Sequence, residues 1–132
     1  MRIRRGLLMG SLIVSGACTA TDGTIEIEGE QAAIEGCRSS RPDGWDGVDI
    51  LLDRKRALRL FRDSLGSDTV VLVGFFEDPS SNAGILVGDC AVGEIKEQDW
   101  FSEGVQHLEG EATLDCIDPL KVSGHVTFAH CH

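Results

Sequence analysis

The sequence predicts an all-β protein, a single antiparallel β-sandwich or small barrel, and three observations carry that expectation. Apolar and polar residues alternate with period two in several short runs, the pattern of strands with one buried face. Glycine is abundant, at 16 of 132 residues, and proline scarce, at 3, which suits many turns between short strands. Cys37, Cys90, Cys116 and Cys131 form an even set, as two disulfides in an oxidising compartment require. The length fits one domain, and 42% apolar residues are enough to build a core.

The first residues read as an export signal. Arg2, Arg4 and Arg5 form a positive start, residues 6–14 (GLLMGSLIV) a short apolar run, and Ser15, Gly16 and Ala17 a small-residue cleavage site. The run falls well short of the ~20 apolar residues that span a bilayer, so residues 1–17 are expected to be a cleaved signal peptide rather than a membrane anchor. Cys18 follows directly. Parity bears on its fate: a free Cys18 would leave an exported protein with one odd thiol, and acylation removes it. Residues 18–23 are then a lipidated tether and 24–132 the β domain. Ordinary cleavage after Ala17, giving a secreted and unlipidated chain, is the alternative.

The strands follow in order. Ile25 and Ile27 alternate with Glu26 and Glu28, and residues 32–37 form a second strand after a turn at 29–31. Residues 38–47 (RSSRPDGWDG) carry turn chemistry in Pro42, Asp43 and Gly44. Val48, Ile50 and Leu52 share one face of the next strand, and Leu58 and Leu60 one face of its partner, with Arg54, Lys55 and Arg56 at the hairpin tip. An amphipathic helix over 53–65, capped by Asp53, competes with that hairpin, and strands are favoured. Residues 70–76 (VVLVGFF) are the most apolar stretch after the leader and predict a central strand. Val71, Val73 and Phe75 would face inward, leaving Val70, Leu72 and Phe76 under a loop or in a patch for a partner; the covered arrangement is favoured. Short strands are expected at 85–87 and 92–97, with Trp100 and Phe101 in an irregular segment or one helical turn at 98–104. Alternation is clearest in 108–116 and 122–128, joined through Asp118 and Pro119.

Four cysteines permit three pairings. Cys90 with Cys116 and Cys37 with Cys131 are preferred, the second tying the last strand to an early one. Cys131 is out of phase with Val126 and Phe128, so that pairing calls for a bulge near the end of the strand.

Charge narrows the partners. The chain carries 12 basic and 22 acidic residues, a net charge of −10. Without the leader's three arginines, 9 basic residues face 22 acidic ones, giving −13. Such a domain repels nucleic acid and anionic lipid, so membrane attachment is expected only through an N-terminal lipid anchor. Five of those basic residues, Arg54, Lys55, Arg56, Arg59 and Arg62, cluster, either protecting an edge hairpin or touching head groups beside the anchor.

Candidate chemistry is sparse. No nucleophile elbow, zinc-protease helix, phosphate-cradling loop or dinucleotide fingerprint is found, so no catalytic residue is assigned and no cofactor is predicted. His130 and His132 are two apart and would share a strand face, as metal ligands can, but Cys131 between them is expected in a disulfide. Asp43, Asp46 and Asp49 recur every three residues without calcium-loop spacing, and read as a solvated acidic loop. Trp45 and Trp100 are the candidate binding aromatics in a chain with five Phe and no Tyr.

Ser15-Gly16-Ala17-Cys18 resembles the lipobox of small exported bacterial lipoproteins, with Ser15 standing where that family prefers Leu, Val or Ile. The same residues, with Gly36-Cys37 and a last strand ending in Cys131, are similar to the mycobacterial lipoprotein-antigen type of β domain, which the pair Cys90 and Cys116 departs from. The resemblance implies a compact β domain presented at a cell surface, acylated at Cys18, with no catalytic residues to carry over. The expected function is therefore non-catalytic: a lipid-anchored envelope protein with a binding or structural β domain and an envelope or protein partner. A secreted, disulfide-stabilised inhibitor of a hydrolase, presenting the loop at 38–47, is the alternative, and an enzyme with an unrecognised site ranks third.

Overall fold

The computed structural model describes residues 20–62, 72–77 and 84–132. The leader, Cys18, Val70 and Val71 lie outside the described residues. Among these residues, ten strands build two antiparallel five-stranded sheets packed face to face. They are β1 (Ala20–Ile27), β2 (Glu30–Ala32), β3 (Ile34–Ser39), β4 (Gly47–Leu52), β5 (Arg56–Phe61), β6 (Leu72–Phe76), β7 (Gly84–Gly88), β8 (Ala91–Ser102), β9 (Val105–Cys116) and β10 (Val122–Cys131). One sheet runs β2-β1-β10-β9-β8 and the other β3-β4-β5-β6-β7. The protein is thus an all-β sandwich, as the alternating pattern predicts. Among the described residues no helix is long and apolar enough to cross a membrane.

The inward sets of both sheets meet in one core. Ile25 and Ile27 of β1, Val48, Ile50 and Leu52 of β4, Leu58 and Leu60 of β5, and Val122, Val126 and Phe128 of β10 are all buried there. The helical alternative for 53–65 gives way to a hairpin: Asp53–Lys55 is a single 3-10 turn, and β5 pairs with β4 from Arg56 opposite Leu52 to Phe61 opposite Gly47.

Three segments depart from expectation. Residues 20–23, placed in a tether, are the first half of β1, with Ala20 opposite Ala129 and Gly23 opposite Val126. Most of that half-strand is exposed, so it forms through the ladder to β10 and leaves no hydrophobic period to read. Residues 32–37, taken as one strand, are split between the sheets: Ala32 ends β2, Ile34 begins β3, and the Ala33 carbonyl accepts the Asp53 N–H at 3.0 Å. Residues 98–102 continue β8, which closes on β9 through a two-residue turn at Glu103 and Gly104. Both turn residues have positive φ, 52° and 82°, the conformation of a hairpin turn that matches strand twist. The register shifts between Glu97 and Phe101, which breaks the period of two and masks the strand in the sequence.

Both preferred disulfides are present, Cys37–Cys131 and Cys90–Cys116, with Cα separations of 5.2 and 5.1 Å. The first joins β3 of one sheet to β10 of the other; the second ties the residue before β8 to the end of β9. The bulge that Cys131 calls for is there. Phe128 lies opposite Gly110 and Cys131 opposite Leu108, three steps on β10 against two on β9, with His130 at φ 57°. That extra residue turns Cys131 inward to the core, where it is fully buried. Close strand approach explains Gly110 and Gly124, where a Cβ would stand 2.0 and 2.1 Å from the carbonyl oxygens of Glu94 and Thr24.

Candidate binding site

Two places gather the chemistry-bearing side chains. The first is the outer face of the sheet β3-β4-β5-β6-β7. Arg38, Asp49, Arg59 and Gly74 lie in one row across four strands. Asp49 and Arg59 are both fully buried, although strand alternation points them away from the core. Arg59 Nε donates to Asp49 Oδ1 at 2.6 Å and Nη2 to Oδ2 at 3.0 Å, while Arg38 Nε donates to Oδ2 at 2.8 Å. The Arg59 guanidinium lies 4.3 Å from the Phe76 ring centre and 5.1 Å from that of Trp45, and Trp45 meets Phe61 edge-on at 4.8 Å. Aromatic faces carry partial negative charge and so cover a cation without unpairing it.

This overturns two expectations. The five clustered basic residues do not protect an edge hairpin: β5 is the central strand, Arg59 and Arg62 are buried and Arg56 pairs with Asp53 at 2.6 Å, while Arg54 and Lys55 stay exposed at the tip. Nor is the acidic loop a free solvated one. Asp46 pairs with Arg41 at 3.1 Å and Arg62 at 2.8 Å, Asp43 with Arg38 at 3.5 Å, and Asp49 is inside. Burial pulls the Asp46 carboxyl upward, but the hydrogen bonds and charges of Arg62 and Arg41 outweigh it and hold it below 3.8. The loop at 40–46 is therefore pinned down, with Ser40 fully buried.

Trp45 and Phe76, both candidate binding residues, meet here. They line a cleft of about 90 Å³ with Phe61, Gly74, Ile85 and Leu86. Phe76 itself is only 4% exposed, so the covered arrangement holds for it, and what the surface shows instead is Ile85 and Leu86. Leu72 begins β6 opposite Phe61; Val70 lies outside the described residues.

The second place is the end of the sandwich where β8 and β9 project as a hairpin. Trp100 and Phe101 are 60% and 63% exposed there, which is rare for two consecutive aromatics on a monomer surface. Phe101 lines a shallow groove with Arg41, Pro42, Gly104, Val105 and Gln106. Trp100 stands instead beside the rings of His130 and His107, at 5.0 and 5.8 Å. Trp100 is thus on a strand rather than in the loop expected for it.

His107, His130 and His132 make a cluster. His107 is buried between Ser102, whose Oγ is 2.7 Å from Nε2, and His130, whose Nδ1 is 3.2 Å from Nδ1 of His107. The His132 ring stacks flat on it at 4.2 Å. Among the described residues no group of three or more His, Cys, Asp or Glu is arranged to hold a metal ion. His130 and His132 do not share a strand face, because His130 sits in the bulge and His132 folds back to place Nδ1 2.8 Å from the His130 carbonyl.

Burial, then the neighbouring His132 and His130, push His107 below its ordinary 6.5. A lowered histidine favours the neutral folded form. Its effect on stability is absent above pH 6.5 and becomes a loss as pH falls from there towards the folded-state value. The melting temperature is expected to fall between pH 7 and pH 5, and His107→Gln to flatten that part of the profile. Asp46 and Asp53 act only below about 4, since both lie under 3.8, so thermal melts across pH separate the two windows. A slope unchanged in the Gln variant would assign it to another group.

No family model, curated protein or solved structure matches the chain. Sequence reasoning missed Phe101, His107 and the Asp49–Arg59 pair as site residues. Only the register of β8, β9 and β10 brings His107 to His130, and nothing local to either residue signals it.

Proposed function

We propose that the protein is a non-catalytic, lipid-anchored envelope protein whose β domain binds its partner through the β8–β9 hairpin. The observation that carries this reading is the exposed pair Trp100–Phe101 beside the turn of the β8–β9 hairpin. Large aromatics held on a paired strand lose little freedom on contact, so they suit recognition. The anchor is supported by cysteine accounting: four of the five cysteines are consumed in Cys37–Cys131 and Cys90–Cys116, and Cys18 is the fifth. The buried carboxylate Asp49 is held by two arginines and Asp46 by two more, an arrangement that builds structure rather than general acid–base chemistry.

The test uses the full chain produced in an exporting bacterial host. Intact mass is expected to show an N-terminal diacylglyceryl Cys18, and Cys18→Ala is expected to move the protein from the membrane to the soluble fraction. An unmodified Cys18 overturns the anchor. For binding, a photoreactive residue at 101 is expected to give discrete adducts in whole cells. The same residue at Val92, 73% exposed near the other end of β8, is expected to give none. Equal labelling at both positions overturns the hairpin as a binding element.

A further inference from the structure

We infer that the β8–β9 hairpin seats Trp100 and Phe101 in the interface of a zwitterionic lipid bilayer, beside the acylated Cys18; this rests on the lipid-anchored reading above. The two features leave the sandwich at the same end. Thr21 lies opposite Phe128, and Phe128 opposite Gly110. From that row β9 extends through five more residues to Val105, about 17 Å at ~3.4 Å per residue. The chain of β1 leaves the same row in the same direction, and Cys18 is three residues from Thr21, at most ~11 Å away. Strand twist of roughly 20–25° per neighbour sets β9 about 45° from β1 and cuts the hairpin's forward reach to ~12 Å. The hairpin's forward reach therefore matches the furthest that Cys18 can lie beyond that row. An anchor at Cys18 thus keeps the tip within reach of the lipid surface.

The tip is built for that depth. Trp100 and Phe101 present apolar rings to a region where an indole keeps its N–H in the wet head-group layer. The backbone of the tip is paired, Phe101 with Gln106 and Ser102 with Val105, so it brings few unsatisfied groups to lipid. Charge selects the lipid. Asp99 and Glu103 flank the aromatic pair and Asp22 lies at the start of β1, all exposed. They oppose anionic head groups and tolerate phosphocholine.

The test places the acylated full chain in phosphatidylcholine vesicles with bromine on the upper part of the acyl chains. Trp45→Phe leaves Trp100 as the one tryptophan, since the chain has 2. Trp100 emission is expected to shift to shorter wavelength and to be quenched at least twofold. Quenching is expected to weaken in phosphatidylglycerol-rich vesicles at low salt and to return at high salt or with Glu103→Lys. Should Trp45→Phe not fold, the wild-type chain is compared with Trp100→Phe, and the difference isolates Trp100. Intact mass of the same preparation reports the anchor separately. An unacylated chain overturns both readings. An acylated, vesicle-bound chain with unquenched Trp100 overturns the lipid contact alone, and adducts from position 101 confined to protein do the same.

Discussion

Asp49→Ala is expected to destabilise the fold by about 3–5 kcal/mol, the range for leaving one member of a buried ion pair uncompensated. Both side chains are 0% exposed, so water does not replace the lost partner. Among the described residues Arg59 would keep only the acidic partner Asp43, 3.7 Å away and 40% exposed, and its Nη1 already lacks a hydrogen-bond partner there. Arg59→Met is expected to cost a similar amount, because Asp49 would then depend on Arg38 alone. Asp49→Leu with Arg59→Met is expected to cost far less than either single change, since an apolar pair of like volume fills the space under Trp45 and Phe76 without a buried charge. Arg38→Ala, at a residue 37% exposed, is expected to cost under about 1 kcal/mol. Urea denaturation with disulfides intact measures all four. A loss below about 1 kcal/mol for Asp49→Ala would mean that water enters the pair.

The same pair shows where the sequence stopped being legible. Alternation in 48–52 and 56–61 names the inward residues correctly, and Leu58 and Leu60 are in the core. It says nothing of whether the other face is bare. Asp49, Arg59 and Arg62 are types that ordinarily face water. Asp49 and Arg59 are buried because Trp45 of the pinned loop and Phe76 of β6 cover the outer face, and Arg62 because it reaches the Ile95 carbonyl of the other sheet at 3.1 Å; both kinds of cover depend on topology. Cysteine parity, by contrast, is a global constraint, and both the pairing and the bulge before Cys131 could be read from it with strand phase. The hairpin lay between these cases. Trp100 stood out by residue type, but two features hid its strand: a register shift after Glu97, and Glu at a positive-φ turn position where Asn or Asp gives the usual signal. Residues 20–23 were hidden for a simpler reason: a half-strand that buries little has no pattern to show.

Removing Cys37–Cys131 is expected to cost more than removing Cys90–Cys116. The sequence separations are 94 and 26 residues. Chain-entropy scaling then gives about 4.7 kcal/mol for the first and about 3.5 kcal/mol for the second. Packing widens the gap. Cys131 is fully buried and Cys37 3% exposed, so Cys37→Ala with Cys131→Ala also removes two sulfurs from the contact between the sheets. Cys90–Cys116 instead joins neighbouring strands whose ladder continues from Ala91 opposite Leu114, and those backbone pairs hold the ends together without it. The first loss lowers the melting temperature by roughly 20 °C, and at the lower end of the usual ~5–15 kcal/mol of total stability it leaves a substantial unfolded fraction near 37 °C. Thermal and urea melts of the two double-alanine variants rank them. A larger loss for Cys90→Ala with Cys116→Ala would overturn this ranking, and would place the weak point of the sandwich within the sheet β2-β1-β10-β9-β8 rather than between the two sheets.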